Sequence, residues 1–533
     1  MPEDDASSVR PEPGSEGPAS SRRLYVLAAV FAAEVLLLAA FQAPYRTFDR
    51  FAIWDSGGEL AIQDLLRRGH LPAVDFGYAY GLLPLLIGRV YYAGAGLTPT
   101  AFHVEMLACA LLTAWGLARF AQARRVGPAG LALLVLAVPD LLLVIYITLV
   151  HSLEQALLTN ALAEQARGRR ATALALVTAC CFVKPSLAFV YGLALVIATV
   201  AANRRAGWAA WVRALAPAAI TAAVLALVLA LAFGPVPLTR TIFPRTGMEV
   251  YRLNHYGFFR GVGREFWALP NAGLRDYFRY EVGFYVLGTV FLAWGGLSGL
   301  WRLTRGLSIG DRVRDDEVVA TCAAVHIGFV VALFGHRGTW TYSLPMLVLG
   351  LAALARRDRR HQAIVWLLAA ALLVSDRSKA VALLQRWESQ APTAATLGLW
   401  ASPEERAEWA KALELTRGGR PVLFAMCEGG ALLIPGFEPP IGGYFIPGYT
   451  LPSEARRKAA QLARASFIIS AHPLDWPGFT FWPEMAAAFE GCDLLHEGRL
   501  LRVYRRRPAK AVAAGGSDAY APPEREAPPG ASP

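Results

Sequence analysis

Charge is what this 533-residue sequence has least of: 17% of its residues are Asp, Glu, Lys or Arg, against about a quarter in a soluble protein. With 55% apolar residues beside it, that deficit excludes a soluble enzyme, a disordered chain and a fibrous one. Six cysteines are too few for a disulfide framework. A Walker A loop, a zinc-ligand cluster, a Gly-x-Ser-x-Gly elbow and a dinucleotide fingerprint are all missing. No internal repeat is apparent, which weakens a secondary-transporter reading. Present instead are apolar runs near the ~20 residues that a bilayer-spanning helix needs. The 52 Lys+Arg against 41 Asp+Glu give +11, but the basic residues sit in short clusters between those runs. Membrane topology explains them better than nucleic acid. The chain reads as a mainly α, polytopic membrane protein.

Residues 1–21 are acidic, rich in Pro, Gly and Ser, and read as a disordered tail, as do residues 506–533. Arg22 and Arg23 before an apolar run look like a signal peptide, yet Phe41-Gln42-Ala43-Pro44 is a poor cleavage site, so a retained first span is expected. About eleven spans follow from hydropathy, near 24–42, 102–120, 129–147, 152–166, 171–186, 187–202, 209–233, 280–301, 318–334, 340–355 and 361–375. Placing the N-terminus in the cytoplasm puts the clusters around Arg22, Arg119, Arg167, Arg204, Arg302 and Arg356 inside. Outer loops 43–101 and 234–279 then face outward, with residues 376–505 as a small α/β domain. Its helices are expected near 379–389, 403–416 and 453–464, and its strands at 421–426, 466–470 and a hairpin over 493–504 turning at Glu497-Gly498. Site chemistry belongs on that outer face, because long structured loops are where sites tend to sit.

The first outer loop is the most informative stretch. Over 59–69, Ala61, Ile62, Leu65 and Leu66 alternate with Glu59, Gln63, Asp64, Arg67 and Arg68. That spacing gives an amphipathic helix suited to the membrane interface, closed by Gly69. Asp55 stands at its start, where capping and catalysis carry equal weight on spacing alone. Pro72-Ala-Val-Asp75-Phe-Gly-Tyr78-Ala-Tyr80-Gly81-Leu-Leu-Pro84 follows, and 82–96 reads as a second interfacial or re-entrant helix and not a span.

This loop resembles the first external loop of GT-C glycosyltransferases, the polyprenyl-phosphate-sugar-dependent membrane enzymes that include protein mannosyltransferases and the aminoarabinose transferase. A second patch is similar to the Gly-Arg … Lys-Pro pattern of these families: His151-Ser-Leu-Glu154 opens a span ending in Gly168-Arg-Arg, and the next one ends in Lys184-Pro185. The resemblance implies an inverting transfer of sugar from a polyprenyl-phosphate donor to a lipid, glycan or protein acceptor. It implies Asp55 as general base, with Asp75 or Glu154 as supporting acid. Relatives carry paired acids where Asp55 is followed by Ser56, so a divalent metal is doubtful and no cofactor is indicated.

Lys184 is well placed to hold a lipid phosphate, although a snorkelling lysine or a structural ion pair is close in weight. Glu34, Asp140 and His326 also fall in or near spans. Pro139 favours a packing role for Asp140, and Glu34 and His326 read as interhelical contacts. The arginine-rich loop 234–279 offers Arg245, His255, Arg260 and Arg264 for the donor phosphate, with lipid headgroups as the alternative, and the turn at His336 and Arg337 could complete a clamp or be merely solvated. Loop 435–452 reads as a domain loop ahead of a cover for the site. Cys427 and Cys492 leave a disulfide open. Partners are then the lipid-linked donor, an acceptor and membrane lipids, with no nucleic acid, in a bacterial inner membrane. A non-catalytic translocase or envelope-assembly protein handling a lipid-linked glycan is the alternative, and a family member without turnover a third.

Overall fold

The computed structural model describes residues 18–40, 47–145, 148–203, 207–243, 287–295, 297, 301, 347–354, 359–389, 391–392 and 399–508. The chain is mainly helical. Helix α1 (Pro18–Ala40) leads into two short helices of the first outer loop, α2 (Phe48–Ala52) and α3 (Asp55–Arg67). The next helix, α4 (Leu83–Ala95), has 13 residues, about 20 Å at 1.5 Å per residue. That is shorter than the ~20 residues a span needs. Then come α5 (Pro99–Ala123), α6 (Pro128–Ile145), α7 (Leu149–Ala166), α8 (Arg170–Cys181), α9 (Pro185–Asn203), α10 (Trp208–Phe233) and α11 (Pro235–Ile242). Among the described residues three helices are long and apolar enough to span a bilayer: Ser21–Ala40 of α1, all of α5, and α10. The expected span 318–334 lies outside the described residues, and 280–301 and 340–355 lie only partly within them.

Two boundaries differ from the hydropathy reading. The chain leaves helix at Phe182, so Lys184 stands in the link before α9, not inside a span. Pro185 is the reason: it favours extended backbone in the residue before it and suits the first position of a new helix. Conversely, α12 (Arg359–Ser389) runs 31 residues without interruption, joining what hydropathy divides into a span at 361–375 and a helix at 379–389. Polar residues from Ser375 to Lys379 end the apolar run, yet no Gly or Pro is there to end the helix.

The α/β part begins with a two-stranded ladder, β1 (Ala391–Pro392) with β2 (Trp400–Ala401), followed by α13 (Pro403–Leu415). Ser402 and Glu405 start α13 with reciprocal capping bonds of 3.1 and 2.9 Å. Strand β3 (Val422–Phe424), the short α14 (Gly429–Leu433) and α15 (Pro452–Arg464) precede β4 (Phe467–Ser470); α16 (Pro483–Ala487) precedes β5 (Cys492–Glu497) and β6 (Arg502–Arg506). The sheet order is β3-β4-β6-β5, with β3 parallel to β4 and the other pairs antiparallel. The β5–β6 hairpin turns through Gly498, whose N–H bonds the Leu501 carbonyl at 2.8 Å.

Strand alternation gives this sheet two different neighbours. Val422 and Phe424 join a core with Phe445, Leu462, Trp482 and Met485. Leu423, Ile469 and Val503 instead join the core that runs down through the membrane helices, with Phe31, Phe102, Leu117 and Leu162. Phe48 makes the connection, meeting Trp409 edge-on at 5.2 Å between ring centres. The sheet of the α/β part is thus packed onto the segment 43–101, and that packing positions the site.

Candidate active site

Asp55 is the first residue of α3, after Trp54 in extended conformation. The capping role weighed for Asp55 is not made: no side-chain cap bond closes this helix start. Among the described residues nothing hydrogen-bonds the Asp55 carboxylate, and Trp54 beside it is an exposed aromatic face. Burial pushes the Asp55 carboxyl above its ordinary range, with the Arg50 charge opposing.

Gly57 and Gly58 follow Asp55 because other segments of the chain press on this turn. A Cβ on Gly57 would lie 2.0 Å from the Phe51 carbonyl oxygen and 2.9 Å from Gly429 Cα of α14. A Cβ on Gly58 would lie 2.7 Å from the Tyr444 ring. Tyr444 then donates its hydroxyl to the Asp55 carbonyl at 3.1 Å, and the Cys427 N–H donates to Ile53 O at 3.2 Å. Loop 435–452 is therefore laid over the head of α3, continuing through Tyr449, which packs with Phe76 and Tyr78.

This cover corrects the reading of α3 as a helix with an open polar face. Ala61, Ile62, Leu65 and Leu66 are buried as expected, but so are Glu59 and Gln63, each 3% exposed. Only the last turn keeps a wet polar edge, where Arg68 meets Asp64 at 2.9 Å and the Pro440 carbonyl at 2.6 Å. Burial first, then the charges of Glu105 and Asp55, push the Glu59 carboxyl up to about 8. Glu105 comes from α5, and its Oε2 accepts the Tyr92 hydroxyl at 2.6 Å.

The glycines of the Tyr-rich motif are likewise contact points. A Cβ on Gly77 would strike Tyr449 O at 2.0 Å, and one on Gly81 would strike Phe182 O at 2.0 Å. Gly81 and Leu83 donate their N–H groups to Val183 O and Phe182 O at 2.9 and 3.0 Å. The two stretches that carry the family resemblance, about a hundred residues apart, are thereby bonded to each other. Lys184 is 2% exposed; its Nζ lies 3.4 Å from Glu154 Oε2 and 3.5 Å from His151 Nδ1. Edge-to-face rings lead from this centre back toward Glu59: His151 to Tyr80 at 5.9 Å, and Tyr80 to Tyr78 at 5.9 Å.

Asp75 is elsewhere. Its Oδ2 accepts the Leu71 N–H at 2.7 Å, closing a turn, and its carbonyl accepts Arg457 from the outer domain. Its charge acts on His70, not on Asp55. The structure brings Lys184 and Glu154 together and sets Asp75 apart. Arg245, His255, Arg260, Arg264, His336, Arg337 and His326 lie outside the described residues, as do the side chain of Asp140 and its surroundings. Arg240 of α11 is bound to the first loop, through Ala73 O at 2.7 Å. Cys427 and Cys492 are both free thiols, one buried against Gly58 and the other on the far edge strand. Among the described residues no group of three His, Cys, Asp or Glu could hold a metal.

Sequence reasoning passed over Glu59, Glu105, Tyr444 and Tyr449. The signal available for Glu59 was its place one turn from Asp55, on the same helix edge. No known protein family, no curated protein and no solved structure matches the chain.

Proposed function

We propose that the chain is a GT-C-type glycosyltransferase that moves a sugar from a polyprenyl-phosphate donor to an acceptor hydroxyl at the outer face of a bacterial inner membrane. In this reading about eleven helices span the bilayer with the N-terminus inside. The loop 43–101 and the α/β domain face outward. The acceptor is a lipid, a glycan or a protein, and no metal is required.

The observation that carries the reading is the Asp55 carboxylate itself: at a helix start, beside an exposed Trp54, enclosed by two parts of the chain, and accepting no hydrogen bond among the described residues. A carboxylate with a raised proton affinity suits a general base. In the step proposed, the acceptor O–H bond breaks and its proton passes to Asp55. The freed electron pair forms the bond to the anomeric carbon, and the bond from that carbon to the donor phosphate oxygen breaks, its electrons leaving with the lipid phosphate. The anomeric centre inverts because attack and departure are on opposite faces. Lys184 supplies a cation for the departing phosphate, held in place by Glu154 and His151.

The test is transfer of labelled sugar from a panel of polyprenyl-phosphate sugars by purified protein, wild type beside Asp55→Asn, with donor binding followed in parallel. Transfer by wild type and its loss in the variant, with binding retained, supports the reading. Donor bound by both and transferred by neither favours a translocase, or a relative without turnover.

A further inference from the structure

Among the described residues of the first loop, Asp49 and Glu59 each have a buried carboxyl oxygen without a hydrogen bond, and Glu59 is the one that shares a helix with Asp55. It lies one turn behind Asp55 on α3, 3% exposed, and its Oε1 is fully buried with no hydrogen-bond partner among the described residues. The same holds for the Tyr78 hydroxyl and for Glu105 Oε1. These groups belong to one neighbourhood, since the Glu59 charge acts on Tyr78, Tyr92, Tyr444, Tyr449 and Cys427. Three buried polar atoms without partners among the described residues leave room for water or a bound group among them.

The titratable groups facing Glu59 are Asp55 on its own helix, Glu105 from α5, Tyr92 from α4, Tyr78 from the Tyr-rich motif, and Cys427, Tyr444 and Tyr449 from the outer domain. None of them is a cation. An ionised carboxylate buried there would face two other acids with no cation among the described residues to offset it, and a buried charge without a partner costs several kcal/mol.

We propose that Glu59 is a neutral carboxylic acid that acts as a positioning residue: it leaves Asp55 the sole carboxylate anion at the head of α3 and donates its O–H among the neighbouring Tyr78 and Tyr449 side chains. The proposal deepens the reading of Asp55 as base and rests on it for its catalytic meaning. Two carboxyls one turn apart are held in opposite protonation states by their surroundings, the arrangement that divides acid from base in other active sites. When Glu59 ionises, a second buried anion stands beside Asp55 and repels the donor phosphate.

The experiment uses the purified full chain and isotope-edited infrared absorption of its carboxyl groups, with wild type beside Glu59→Gln. At pH 7 wild type shows a neutral-carboxyl carbonyl band that the variant lacks, and the band fades with a midpoint near pH 8. Equal bands in the two proteins at pH 7 overturn the proposal. Transfer is the second readout. The amide of Glu59→Gln keeps an N–H donor and no charge, so activity falls less than about tenfold, the worth of a single hydrogen bond. The proposal predicts an alkaline fall in the wild-type rate that disappears in the variant. A loss as deep as that of Asp55→Asn, or an unchanged alkaline limb, overturns it as well. If wild type transfers no sugar while its band behaves as described, the glycosyltransferase reading fails and the neutral Glu59 stands.

Discussion

The Tyr444 hydroxyl donates to the carbonyl of Asp55 at 3.1 Å, a bond between residues 389 positions apart. It fixes the backbone of the candidate base without touching its carboxylate. Helix α15, which follows the loop that carries Tyr444, supplies the Glu454 side chain that accepts the Gly77 N–H at 2.8 Å, so both ends of the functional stretch are held by adjoining parts of the α/β domain. The outer α/β domain thus forms part of the site, and its attachment is open to test.

Gly57→Ala tests the contact between α3 and α14. The added methyl would meet the Phe51 carbonyl and Gly429 Cα, both backbone, which cannot yield by a rotamer change. Overpacking of this kind costs about 1–3 kcal/mol, and transfer activity should fall with stability because Asp55 is displaced. Gly94→Ala, within α4 and with open space around it, is the control and should hold or slightly raise the thermal midpoint in detergent. Equal midpoints for both variants would show that the two helices do not touch as described.

Lys458→Met tests the buried ion pair that anchors α15 beneath the loop. Lys458 Nζ lies 2.6 Å from Glu428 Oε1, with both side chains sealed from solvent, and it also donates to Leu423 O and Gln461 Oε1 at 2.7 and 2.8 Å. Removing the cation leaves Glu428 charged and buried, a loss of about 3–5 kcal/mol. Lys458→Met with Glu428→Gln should recover part of that loss. Thermal unfolding of the three proteins decides it, and a single variant as stable as wild type would contradict the pairing.

Stability should decline toward alkaline pH. Burial pushes the Glu454 carboxyl up to about 8, although the Gly77 and Leu451 N–H groups and Arg457 oppose the shift. The folded chain therefore holds a proton that the unfolded chain releases near 4.5. The stability tied to neutral Glu454 is complete below that value, declines as pH rises and is gone once pH has passed through about 8. Unfolding midpoints measured from pH 6 to 9 should fall and then level. Glu454→Gln should flatten part of that slope, and an identical slope in the variant would show that Glu454 is already ionised at neutral pH.

The sequence made the apolar helices, the short α4 and the β5–β6 hairpin legible because each is written in local periodicity and turn chemistry. The first-loop motif was legible as a pattern while its cause was not. Gly77 and Gly81 are there because Tyr449 and Phe182 press against their backbones, and neither neighbour is local. Glu59 was assigned to a wet face for the same reason: helical spacing places it with Gln63 and Asp64, and the loop that buries it comes nearly 400 residues later. Asp75, an acid in a conspicuous motif, proved to close a turn.

The most direct measurement is the initial rate of sugar transfer from a polyprenyl-phosphate donor by wild type, Asp55→Asn and Asp75→Asn, each shown to bind the donor. The account predicts a loss of about 10²–10⁴-fold or more for Asp55→Asn, the range a positioned general base contributes. Asp75→Asn should stay within about tenfold of wild type, since only a turn hydrogen bond is weakened. Undiminished transfer by Asp55→Asn would contradict the account at its centre.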